Sequence, residues 1–144
     1  MSSQQTPERI AALHGYAEPA AAETPYGGPE AVIEPVLENF TQLGPLVQGR
    51  AGEAQLARLE DWARAACEDL APVIRQRKQG GFVRACHGDV HLANMAWLDE
   101  RPLLFDCIEF NENLRWIDIV NDIAFLAMDL DDRGQAELGW LFLN

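Results

Sequence analysis

The chain has 144 residues, enough for one sizeable core, and its 48% hydrophobic and 24% charged content is that of an ordinary globular protein. A net charge of −12 argues against nucleic acid or an anionic membrane surface as partner, since both demand clustered Lys and Arg. Cys67, Cys86 and Cys107 contain no C-x-x-C pair, the N-terminal sequence has no basic and apolar leader, and no apolar run nears the roughly 18 residues of a membrane span. A disulfide framework and a structural zinc site are therefore unsupported, and a reducing cytoplasm is the expected compartment.

Residues 7–14 are expected to form a short helix, with Thr6 as N-cap and Pro7 at the first helical position. Residues 15–29 are rich in Gly, Pro and Ala and read as an extended loop in which Gly27-Gly28 makes a turn. Across residues 29–43, Val32, Ile33, Val36, Leu37 and Phe40 recur at helical spacing, and Pro35 is expected to bend that helix or begin a new one. The clearest helix lies over 52–79, where Leu56, Leu59, Trp62, Ala63, Ala66, Leu70, Val73 and Ile74 trace one face. Pro72 should kink it and Gly80-Gly81 end it.

A short strand is expected over 82–86. The apolar runs 95–98 and 103–105 flank Asp99-Glu-Arg-Pro102, the pattern of a β-hairpin with a four-residue turn. Residues 116–130 read as the next helix, with Asp118 and Asp122 one turn apart, and a last apolar helix begins near Gln135. Trp62, Trp97, Trp116 and Trp140 sit in apolar stripes and are assigned to the core. The expected fold is α+β: a mainly helical lobe with a small hairpin beside a loop, packed on the helices 52–79 and 116–130.

That loop carries the chemistry. Cys86-His-Gly-Asp-Val-His-Leu-Ala-Asn94, followed after twelve residues by Asp106, reduces to H-x-D-x-x-x-x-N, a hairpin-length gap, and D. This is the spacing of a kinase catalytic loop. Phosphoryl transfer requires positioning and charge neutralisation more than covalent work by the protein. Asp89 is the candidate to orient an acceptor hydroxyl and take its proton late. Asn94 and Asp106 offer the hard oxygen ligands that magnesium prefers. His87 is expected to anchor the loop backbone, and Gly88 to let it turn tightly. His91 either faces the acceptor or packs. Glu109 either assists at the metal or acceptor or is a solvated loop acid. Asp122 is the candidate clamp for the loop's N–H groups, since a carboxylate on an apolar helix face needs partners. Cys86 reads as a small buried residue.

His87-Gly-Asp-Val-His-Leu-Ala-Asn94 with Leu104-Phe-Asp106 resembles the aminoglycoside phosphotransferase and choline kinase group, which shares the protein-kinase-like fold. Leu104-Phe-Asp-Cys-Ile-Glu-Phe-Asn111 with Leu114-Arg-Trp-Ile-Asp-Ile-Val-Asn-Asp122 is similar to one bacterial branch of it, whose members often carry a downstream P-loop kinase domain. The resemblance covers residues 82–131, with the catalytic and metal-binding segment at 82–111. It implies ATP and Mg2+, Asp89 as catalytic base, Asn94 and Asp106 as ligands of the metal and its nucleotide, Asp122 as the brace, and a small-molecule hydroxyl acceptor. It also implies that residues 1–144 are part of a C-lobe, with the nucleotide-covering N-lobe absent. Such a lobe by itself is expected to bind ATP weakly, transfer no phosphate and self-associate.

Two other readings stand beside it. A metal-dependent hydrolase would use His87, Asp89, His91 and Asp106 as ligands, because H-x-D-x-H spacing occurs at metal sites. Asn94 at the kinase offset and the lack of a further His near Asp106 weigh against it. A residual lobe could also serve as a non-catalytic binding module.

Overall fold

A computed structural model describes residues 5–99 and 101–143. Residues 1–4, Glu100 of the expected turn and Asn144 lie outside the described residues, as does the side chain of Thr6. The first helix, α1 (Gln5–Tyr16), already includes Thr6, so that residue lies within the helix rather than capping it from outside. Pro7 falls in the first turn, where a missing N–H costs no intrahelical bond. The following loop leads to α2 (Pro29–Val47), which runs unbroken through Pro35 and Pro45 and outlasts the expected end at residue 43. Next comes α3 (Glu53–Gln79), also continuous through its internal Pro72 and ended by Gly80, whose N–H donates to the Gln76 carbonyl.

α2 and α3 pack side by side. Each offers one stripe to the other and the rest to solvent, so α2 buries no residue and α3 buries only Ala63. The assignment of the tryptophans to the core is corrected accordingly: Trp62 is 67% exposed, Trp97 49% and Trp140 68%. Trp116 is half-buried, stacked on Tyr26 with ring centroids 6.4 Å apart.

The strand β1 (Val83–Ala85) leads into the loop, as expected. Two strands of a hairpin follow, β2 (Met95–Leu98) and β3 (Arg101–Leu104), with Leu98 opposite Arg101. The register therefore extends the pairing to Arg101, two residues beyond the expected start of the second strand at 103. Pro102 belongs to β3, opposite Trp97. Antiparallel pairs alternate between bonded and non-bonded, so the pair next to a bonded turn pair needs no N–H from Pro102.

A short helix, α4 (Glu112–Arg115), precedes β4 (Trp116–Asp118), which pairs antiparallel with β1. Residues 116–118 are thus strand, where helical spacing had predicted the start of a helix. Three residues cannot display a period, and β1 lies more than thirty positions upstream. Asp118 ends the strand and N-caps α5 (Ile119–Asp132), accepting from the Val120 N–H at 2.9 Å. Asp118 also receives the Arg77 guanidinium in a fork at 2.6 and 2.8 Å, tying the end of α3 to the start of α5. The last helix is α6 (Ala136–Leu143).

Ile10 of α1, Val90 of the loop, and Leu126 and Leu130 of α5 form the buried core, ringed by Leu92, Met95, Leu104 and Phe142. The hairpin packs on α1 through β3, rather than mainly on α3. The catalytic-type loop therefore lies directly over the core, with α1, α5 and the hairpin around it. No described helix is long and apolar enough to cross a membrane.

Candidate active site

Val90 is fully buried, while its neighbours Asp89 and His91 are partly exposed. One apolar side chain thus pins the loop to the core and turns the two polar ones outward. Gly88 adopts φ +84°, and a Cβ there would lie 2.5 Å from the Leu114 carbonyl oxygen. Both the left-handed backbone and the close approach require glycine.

The loop's amides are held from α5. Asp122, 1% exposed, accepts the Gly88 N–H on Oδ1 at 2.9 Å and the His87 N–H on Oδ2 at 3.1 Å. A buried carboxylate at an apolar helix face thereby finds the donors its charge needs. His87 is engaged at both ring nitrogens: Nε2 donates to the Phe105 carbonyl at 2.8 Å, and Nδ1 accepts the Asp89 N–H at 3.3 Å. It joins the loop to the end of the hairpin and leaves no ring nitrogen for a reacting group.

Asn94 donates from Nδ2 to the Asp89 backbone oxygen at 3.0 Å and to Asp89 Oδ2 at 3.1 Å. Its amide nitrogen orients the Asp89 carboxylate, and its carbonyl oxygen is the atom suited to a cation. Phe105 is gripped twice, since its N–H donates to the Asn94 carbonyl at 3.1 Å while its own carbonyl takes His87. Asp106 follows Phe105 along the chain, exposed and at φ +60°. The donor set (carboxylate, amide oxygen, carboxylate) suits a hard divalent cation such as Mg2+. Glu109 is exposed on the loop beyond, within 4.0 Å of the Cys107 thiol.

His91 Nε2 lies 3.4 Å from Asp89 Oδ2, and its ring meets Phe125 at 6.5 Å. Both His91 and Phe125 line an open cleft of about 620 Å³ with Met128, Asp131, Asp132 and Arg133. Among the described residues, the trio of His, Cys, Asp or Glu ligand atoms within 4.8 Å of one another is His14, Cys86 and Asp122. The hydrolase set His87, Asp89, His91 and Asp106 is not brought together in this way, and His87 has both nitrogens committed. The trio itself is sealed and hydrogen-bonded, with the Cys86 thiol donating to the Ile117 carbonyl. Burial, reinforced by the Asp122 charge, pushes that thiol up to about 12, so it stays protonated.

Two residues at this site escaped the sequence reading. Asp129 accepts the Leu92 N–H on Oδ2 at 2.8 Å and the Arg133 Nε–H on Oδ1 at 2.9 Å. The Leu92 amide, helped by Arg133, holds its carboxyl below the ordinary aspartate value. His14 of α1 donates from Nε2 to Asp122 Oδ2 at 3.0 Å. Faint signals exist for both. Asp129 follows Asp122 by seven positions, two helical turns, and His14 follows the buried Ile10 by four.

The family model described as the phosphotransferase enzyme family matches residues 8–139. Uncharacterized proteins of Mycobacterium tuberculosis and Mycobacterium bovis are 42% identical over 66 residues. That segment is 46% of this chain and 13% of each relative. No solved structure matches the chain significantly.

Proposed function

Because this chain belongs to the phosphotransferase enzyme family, we propose that it is the catalytic-loop lobe of an ATP- and Mg2+-dependent enzyme that phosphorylates a hydroxyl of a small molecule. The observation that carries the reading is the Asp89–Asn94 pair. A carboxylate is oriented by an amide within an H-x-D-x-x-x-x-N loop whose backbone is clamped by Asp122. Asn94 and Asp106 would hold Mg2+, which when bound neutralises charge on the nucleotide phosphates. Asp89 accepts a hydrogen bond from the acceptor hydroxyl and aims its oxygen at the terminal phosphorus. As the new O–P bond forms and the bond to ADP breaks, the hydroxyl proton passes to Asp89. Asn94 keeps the carboxylate in place, and His87 and Asp122 keep the loop in place. On this reading residues 1–144 are part of a C-lobe, and the nucleotide is covered by a separate lobe.

The test is phosphate transfer from γ-labelled ATP to a panel of aminoglycoside, choline and sugar hydroxyls. It is run on this chain and on an intact relative that carries both lobes. Asp89→Asn in the intact enzyme should lower turnover by about 10³-fold or more with little change in nucleotide binding, as expected of a group acting in the transition state. Normal turnover in that variant would remove Asp89 as the base. This chain by itself should transfer nothing and bind Mg-ATP weakly, since the reading places the grip on the adenine and α/β-phosphates elsewhere. Micromolar binding would show that the lobe is sufficient.

A further inference from the structure

Asp122 Oδ2 has a second donor besides the loop. His14, on α1 and 108 positions away, donates from Nε2 at 3.0 Å, and both side chains are almost fully buried, at 6% and 1%. We infer that His14 is a positioning residue for the catalytic loop: its ring N–H fixes the Asp122 carboxylate, and through it the His87–Gly88 amides that set Asp89. The inference rests on the proposed role of Asp89, but its structural core is testable without any activity.

The geometry gives His14 this job because an aspartate carboxylate turns easily about χ2, a broad torsion without deep staggered wells. Gly88 and His87 alone cannot prevent that turn, because the loop they belong to is the part being positioned. An outside post is needed, and α1 supplies one. Ile10, one turn before His14, is 2% exposed in the core shared with Val90 and Leu126. At the other side, Arg84 of β1 donates from Nη1 to the His14 carbonyl at 3.0 Å and to the Ala17 carbonyl at 3.2 Å. The helix is therefore fastened by its core face and by its C-terminal carbonyls, and His14 stands between the two fastenings. Those bonds use the backbone of His14 and leave its ring for Asp122. Nε2 must carry a hydrogen, because a carboxylate only accepts.

Nuclear magnetic resonance on the described chain tests this. In the wild type, His14 should carry an Nε2–H proton that is slow to exchange. His14→Leu keeps an apolar side chain of similar bulk but removes the donor. Exchange of the Gly88 and His87 amides should then rise roughly tenfold or more relative to amides within α3, as in a local opening. His14→Gln returns an N–H donor, and it should restore protection to within about threefold of wild type. An Nδ1–H tautomer in the wild type, or equal protection of Gly88 in all three proteins, would overturn the inference. If His14→Leu fails to fold, the wild-type tautomer and the glutamine variant still decide it. Loss of loop protection with no phosphotransferase activity in any intact relative would instead locate the failure in the proposed function.

Discussion

Asp122 and Asp129 grip the loop from one face of α5, two turns apart, the first holding the turn at Gly88 and the second the amide of Leu92. Their loss should have different signatures. Asp122→Ala leaves the His87 and Gly88 amides without their acceptor and should cost about 1–3 kcal/mol by urea unfolding. Asp129 is half-buried, and its contribution depends on pH. Its folded carboxyl titrates below the ordinary value of 3.8, so its stabilisation is fully present above the unfolded value and is lost as pH falls through the folded one. Asp129→Asn should therefore lower stability at neutral pH by about 1 kcal/mol and remove part of the acid-side loss below roughly pH 4. An unchanged acid limb in that variant would contradict the assignment. Asp89, Asn94 and Asp122 were legible in the sequence because their spacing is local or lies on one predicted helix. His14 was not, because a single histidine on a short helix gives no hint of an aspartate 108 positions later.

Among the elements, the loop's geometry depends most on Gly88. Gly88→Ala sets a Cβ 2.5 Å from the Leu114 carbonyl at a left-handed φ, so either the loop or the segment before β4 must move. The expected cost is more than about 1 kcal/mol, together with loss of the hydrogen bond that the Gly88 N–H donates to Asp122, read from unfolding and from the Gly88 amide exchange. The Arg77 fork to Asp118, with the guanidinium 4.3 Å from the centroid of the Phe82 ring, joins α3 to α5. Arg77→Lys keeps the charge but neither the fork nor the stacking plane, and should destabilise by about 1 kcal/mol. The longer helices and the hairpin could be read from the sequence because apolar period and turn residues are local, whereas the four-residue α4 is too short to show a period. β4 could not, since its three residues become a strand only when β1 supplies the other half of the ladder. The expected second strand began two residues too late because Pro102 looks like a turn residue, whereas an edge strand accepts it at a position that needs no N–H.

The whole molecule divides its apolar surface unevenly. Beneath the loop Ile10, Val90, Leu126 and Leu130 are buried, while α2 and α3 cover mainly each other and leave Leu59, Trp62, Leu70 and Val73 about half or more exposed. Such a surface favours association, against which the net charge of −12 works. Sedimentation should accordingly show self-association that strengthens as salt screens the charge, and a monomer at every concentration and ionic strength would contradict this. The sequence predicted the stripe but not its exposure, since the period of a helix says which residues share a face and not what covers it.

At the same scale, the proposed function requires Asn94 and Asp106 to converge beside Asp89 on one divalent cation. Paramagnetic broadening by Mn2+, a stand-in for Mg2+ with the same preference for oxygen ligands, measures it directly on amide and side-chain resonances of this chain. Broadening should centre on Asn94, Phe105 and Asp106, extend to Asp89, compete with Mg2+, and disappear from that region in Asp106→Asn. Broadening that centres instead on Asp131 and Asp132, with Asn94 and Asp106 sharp, would contradict a shared cation site at Asn94 and Asp106.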